Sequence, residues 1–131
     1  MIDRDKKMEI KDILEQAYCL KNDGKNEDSL KMYSEAFDIL VTEAIEYAKG
    51  FEEMFEDAGK KTVSKNYLKK FNEYLKKDAR ACIISNNMGV LFAQAGEAAS
   101  AKIFFEQAID LTPEGEKYDD PYIGLEVLKS R

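Results

Sequence analysis

A chain of 131 residues without a single histidine has lost most routes to acid–base and nucleophilic catalysis before any fold is considered. Ser–His and Cys–His pairs are excluded, as are histidine-containing zinc and di-iron sites. The side chains that remain able to do chemistry are two cysteines, Cys19 and Cys82, and the carboxylates Glu52, Glu53, Glu56 and Asp57. The cysteines lie far apart in no metal-binding spacing and sit among apolar residues, so they read as buried, reduced thiols. Consecutive carboxylates on a helix point apart, and a solvated acidic face is the ordinary use of such a cluster. No G-x-x-x-x-G-K-[ST] or G-x-G-x-x-G run offers a phosphate cradle. The expectation is a protein that is not an enzyme and needs neither metal nor organic cofactor.

What is left is recognition, and the charge pattern bears on that. The net charge is −6, which opposes wholesale binding to a phosphate backbone. Along the chain the sign reverses abruptly. Glu43, Glu46, Glu52, Glu53, Glu56 and Asp57 stand against Lys49. Lys60, Lys61, Lys65, Lys69, Lys70, Lys76, Lys77 and Arg80 then stand against Glu73 and Asp78. The lysines carry a rival reading, contact with RNA or an acidic protein, but lysine on the polar side of an amphipathic helix is ordinary solvation. The patch also complements the acidic segment 43–57 of a second copy, which gives a weak, salt-sensitive homodimer as a further use.

These side chains are carried by helices. Apolar residues recur at helical spacing throughout, no stretch alternates long enough to make a sheet, and the class is all-α. Met8, Ile10, Ile13, Leu14, Ala17, Tyr18 and Leu20 form one stripe, closed by Asn22-Asp23-Gly24. Asn26, as an N-cap, opens a second helix with Leu30, Tyr33, Ala36, Phe37 and Leu40, with acids in its first turn. No strong breaker separates Leu40 from Gly50, so this helix either stops near residue 43 or runs on to Ala58-Gly59. A helix over 63–78 buries Val63, Tyr67, Leu68, Phe71, Tyr74 and Leu75, helices follow over 81–95 and 98–111, and Asp120-Pro121 opens a short last one bearing Tyr122, Leu125 and Leu128. The longest uncharged stretch, Ala81 to Gly96, is too short and too polar to span a bilayer, and the N-terminus lacks a signal-peptide core. One domain in the cytoplasm is the default reading.

Within the 81–111 region the residue types carry more information. Gly89 and Ala101 are small enough for two helices to cross closely, with Phe92 and Phe105 filling the space around them. Gly96 suits a left-handed cap, Ala108 leaves room for a neighbour, and Pro113 ends the second helix. Met88-Gly89-x-x-Phe92, Gly96, Ala101, Phe105, Ala108 and Pro113 together resemble a tetratricopeptide repeat. Aligning Gly24 and Gly59 with Gly96 extends the resemblance. In a first copy Ala17, Leu20, Ser29, Tyr33 and Ala36 keep the size classes. In a middle copy Phe51, Phe55, Ser64 and Leu68 fit, but Glu52 and Phe71 stand where small residues belong.

The resemblance implies a right-handed superhelical stack of antiparallel helix hairpins. Its units are 10–43, a degenerate 45–78, and 82–115, followed by a solvating cap helix over 120–129. It further implies a protein-binding adaptor whose concave groove takes an extended peptide or a helix. The groove positions transfer to Lys11, Leu14, Tyr18 and Lys21, to Glu46, Lys49, Glu53 and Glu56, and to Ile83, Asn86, Val90 and Gln94. The lysine–asparagine clamp with which some members hold carboxylate tails is absent, because Leu14, Tyr18, Gly50 and Ile83 occupy its places and only Asn87 fits. Acidic groove positions repel a carboxylate tail, so the implied partner is a basic or mixed-charge segment with an apolar anchor near Tyr18 and Val90.

Overall fold

The computed structural model describes residues 9–54 and 60–130, with the side chains of 52–65 outside that description. Six helices follow one another: α1 (Ile10–Asn22), α2 (Asn26–Met54), α3 (Lys60–Leu75), α4 (Arg80–Gln94), α5 (Ala98–Asp110) and α6 (Asp120–Lys129). The described residues contain no strand, as the helical periodicity requires.

Two connections have the same geometry. Between α1 and α2, Gly24 takes φ +79°, and between α4 and α5, Gly96 takes φ +80°. The N–H groups of Asp23, Gly24 and Lys25 donate to the carbonyls of Cys19, Lys21 and Leu20. Those of Ala95, Gly96 and Glu97 donate to Leu91, Ala93 and Phe92 in the same order. A left-handed residue at this point closes the orphan carbonyls of the outgoing helix, and glycine alone adopts it without Cβ strain. Gly59, which was aligned with these two, lies outside the described residues.

The longest element is α2, whose 29 residues make a rod of about 43 Å at the α-helical rise. It runs through residues 43–45 without a turn, so the units 10–43 and 45–78 share one helix instead of meeting at a loop. Nothing in that stretch lacks an N–H or requires a positive φ, and Gly50, the one glycine inside α2, is simply helical. Its inner edge of Ser29, Tyr33, Ala36, Leu40, Ala44 and Ala48 is buried along its length. The alternation of large and alanine side chains lets helices approach on both sides.

Along this rod α3 and α4 lie antiparallel and end to end. Asn26 Nδ2 donates to Gln94 Oε1 and Asn87 Nδ2 to the Tyr33 hydroxyl. Further along, Tyr74 donates its hydroxyl to Glu43, its ring lies 5.4 Å from that of Tyr47, and Lys70 sits over Phe51. Helix α1 covers the first half of α2 with Ile10, Ile13 and Ala17, and these join Tyr33, Leu40, Ile84, Met88 and Leu91 in one core. The hairpin α1–α2 is tied by Ser29 Oγ, which donates to the Ala17 carbonyl at 2.6 Å in a fully buried crossing. Its counterpart α4–α5 is tied by Ser85 Oγ to the Phe104 carbonyl.

Phe105 is the pivot of the C-terminal half. A Cβ on Gly89 of α4 would lie 2.7 Å from its ring, and one on Gly124 of α6 would lie 2.5 Å from the ring's far end. The ring is gripped between two glycines on two helices, which explains why both positions lack a side chain. The other small residue at this crossing, Ala101, is fully buried.

Candidate functional site

An open groove of about 1310 Å³ lies between α1 and the middle of α2, bordered at one end by the first residue of α4. From α1 it takes Glu9, Ile10, Lys11, Leu14, Glu15, Tyr18 and Cys19. From α2 it takes Asp38, Ile39, Thr42, Glu43 and Glu46, and from α4 Arg80. Helix α1 has 13 residues against 29 in α2, so α1 by itself cannot cover that side of α2 along its whole length. Its floor is aliphatic, Ile10, Leu14 and Ile39, while Tyr18 is 59% exposed on its wall. An amphipathic ring left open to solvent beside an aliphatic floor is the usual form of a recognition anchor.

The rim is acidic, with Glu9, Glu15, Asp38, Glu43 and Glu46 facing Lys11 and Arg80. Two of these groups are already engaged. Glu43 accepts the Tyr74 hydroxyl at 2.7 Å. Arg80 donates from Nε to both oxygens of Asp78 at 3.1 Å, and Asp78 also accepts the Arg80 backbone N–H. The other carboxylates of the rim are left to solvent or to a ligand, and the resulting potential favours cations.

Of the groove residues expected from sequence, Lys11, Leu14, Tyr18 and Glu46 meet here. Lys21 and Lys49 lie outside this lining. Glu53 and Glu56 fall where side chains or backbone are not described. The α4 residues divide differently. Asn86 is 4% exposed and faces inward toward Tyr118, because the segment after α5 folds back over α4, so it cannot serve a groove. Ile83 is exposed and Val90 half-buried elsewhere on α4, and Gln94 is taken up by Asn26. Asp38, Ile39, Thr42 and Arg80 were missed. The hydrophobic period places Ile39 and Thr42 beside the buried stripe of α2, and only the shortness of α1 turns that flank into a wall.

Cys82 is buried, as its apolar surroundings in sequence imply, and that burial pushes its thiol pKa up, so it is a poor nucleophile. Other expectations are corrected at the level of single side chains. Cys19 is exposed instead of buried, on the flank of α1 that borders the groove. Leu68, expected in the core, is 62% exposed on α3. Two rings here have a lysine over them, Lys70 of α3 at 4.4 Å from Phe51 of α2 and Lys77, just past α3, at 4.1 Å from Tyr74. Helix α6 turns a mixed outer face to water, with Tyr122, Ile123 and Val127 exposed beside Asp120, Glu126 and Lys129. Gly124 must face Phe105, and that rotation swings Tyr122 outward, away from the half-buried Leu125 and Leu128.

Among the described residues no helix is long and apolar enough to cross a membrane, and no three His, Cys, Asp or Glu side chains are grouped to hold a metal ion. The chain matches no protein-family model, no curated protein and no solved structure.

Proposed function

We propose that the protein is a non-enzymatic adaptor of tetratricopeptide-like build, and that the α1–α2 groove receives a basic or mixed-charge segment of a partner protein through an apolar anchor. The observation that carries this is the composition of the groove: an aliphatic floor with an exposed tyrosine, ringed by five carboxylates against two cations. Burial of one large apolar side chain supplies roughly 1.5–3 kcal/mol. Lysine or arginine on either side of it adds long-range attraction and register.

The repeat-like build is supported by the matching turns at Gly24 and Gly96, by the Ser29–Ala17 crossing and by the glycine-lined seat of Phe105. On this reading α4 packs directly on the first half of α2 as the next unit, and the second half of α2 with α3 is a helical hairpin inserted between the two units. The lysine helix as a nucleic-acid face has weaker support, because the rings nearest those lysines are already covered by them.

The test is selection from a displayed random-peptide library on the intact chain. The expected enrichment is Lys or Arg flanking one large apolar residue, with binding of a selected peptide reduced about 10-fold or more by Tyr18→Ala and by Glu46→Lys. Enrichment of acidic sequences, or affinity indifferent to both substitutions, refutes the assignment.

A further inference from the structure

We propose that the α1–α2 groove of one copy takes the exposed side of α3 from a second copy, with Leu68 as the apolar anchor. The proposal rests on the groove reading above and names its occupant. Leu68 belongs to the apolar pattern of its helix and is nevertheless 62% exposed. At the helical period Asn72, Lys76 and Lys69 fall on the same side of α3. Lys69 and Asn72 are exposed with Leu68, and Lys76 is half-buried. From Lys60 to Lys77 the chain carries seven lysines and a single acid, Glu73, and Lys70 holds that acid at 3.2 Å. Glu114, from the segment after α5, borders Lys69 and Lys76 in a shallow concavity of about 530 Å³, and one further carboxylate leaves the side basic.

Charge and shape identify the occupant together. The groove sets five carboxylates against Lys11 and Arg80 around the floor of Ile10, Leu14 and Ile39, and Arg80 is already engaged by Asp78. A lysine-rich helix with one bared leucine complements both features: the leucine covers the aliphatic floor, and the lysines beside it meet the acidic rim. No described residue of α3 lines the groove of its own copy, so a second copy must supply it. The contact joins two different surfaces, and each copy offers one of each. The net charge of −6 opposes the approach of two copies at long range, but at about 0.1 M salt the Debye length is about 10 Å, which screens that repulsion more than the pairs in contact. One helix face in one open groove lies below the usual size of a stable interface, and the equilibrium belongs at high concentration.

Sedimentation equilibrium of the full chain at about 0.1 M salt tests it. The weight-average mass should rise above the monomer's 15.0 kDa between ~10 μM and ~1 mM, the range expected of a small interface. Leu68→Glu, which alters only the α3 side, and Glu46→Lys, which alters only the groove, should each weaken association about 10-fold or more. An equimolar mixture of the two variants should associate again, because the intact α3 of one fits the intact groove of the other. Circular dichroism of each variant checks that the fold is intact. A wild-type chain that stays monomeric overturns the proposal, and if that chain still binds a library-selected basic peptide, the groove reading stands without it. Association that survives Leu68→Glu, as pairing through the exposed side chains of α6 would give, also overturns it. So does a mixture of folded variants that stays monomeric.

Discussion

Replacing Gly89 by alanine should destabilise the protein although alanine is the better helix former, and the size of the effect can be worked from the seat of Phe105. The new Cβ would stand 2.7 Å from two ring carbons, a separation that forces something to move. The ring's freedom to shift is limited, since Gly124 packs against its tip, where a Cβ would meet it at 2.5 Å. Phe105 is 2% exposed, so its displacement is felt by the packed core. Overpacking of this kind costs about 1–3 kcal/mol, and with the tip held by α6 the upper end applies. The helix-propensity gain of Gly→Ala returns about 1 kcal/mol. A net loss of about 2 kcal/mol corresponds to a Tm lower by roughly 6–10 °C for a chain of this length. Gly50, exposed near the C-terminal end of α2 with nothing within 4 Å of an added Cβ, is the internal control. There the same substitution should raise Tm by about 2–4 °C, because only the backbone and propensity terms act. Thermal unfolding by circular dichroism reads both. Trimming the ring with Phe105→Leu should relieve the Gly89→Ala strain, giving a combined loss smaller than the sum of the single losses by about 1 kcal/mol. If Gly89→Ala stabilises as Gly50→Ala does, the close crossing of α4 and α5 is wrong.

Two further predictions concern groups that the packing perturbs. Burial raises the pKa of Tyr118, with Asp120 adding to the shift, and burial likewise raises that of Tyr33. A phenol whose folded pKa lies above its unfolded value of 10.0 contributes stability that is fully present below that pH and lost as pH rises through the folded pKa. Urea-unfolding free energies should therefore begin to fall as pH nears 9.0, where the thiol of Cys82, also raised by burial, ionises in the unfolded chain, and fall further from about pH 9.5 by up to about 1.4 kcal/mol per pH unit for each tyrosine. Tyr118→Phe should make that decline clearly shallower, and an unchanged slope would refute the burial of its hydroxyl. Glu43 divides its carboxylate between the groove and the Tyr74 hydroxyl. Tyr74→Phe should free it, tightening a basic library-selected peptide about 2–5-fold while lowering Tm slightly, as the loss of one such hydrogen bond implies. Weaker peptide binding in that variant would mean that Glu43 does not serve the groove.

The parts of the fold legible in the sequence are those set by a local steric demand. Gly24 and Gly96 announce left-handed caps, and both take positive φ. Gly89 and Ala101 announce a close crossing, and Gly89 meets Phe105 there. The helix ends fall within a few residues of the apolar pattern: Asn26 is the first helical residue and not the cap, and Asp120 likewise begins α6 while Asp119 precedes it. What the pattern could not settle is which flank of a helix is left uncovered, because that depends on the length of a neighbour. Tyr18 and Ile13 share the α1 stripe, yet one is solvent-exposed and the other buried. Leu68 shares the stripe of Leu75 and faces outward. Asn86 was placed in a groove by its position in a repeat, and the segment that follows α5 claimed it.

The continuity of α2 governs the rest. Had the chain turned near residue 43, Asp38, Thr42 and Glu46 would sit on separate elements, and the wall of the groove would be a joint. As one rod, α2 presents Asp38, Thr42 and Glu46 one turn apart along a single line facing α1. Charge along that line is fixed by sequence spacing alone, without help from loops. The same rod carries Glu43 into contact with α3, so the acidic wall is braced from behind by the lysine-rich helix. A site built this way can meet a basic ligand without first ordering itself, which is where a small interface saves most of its cost.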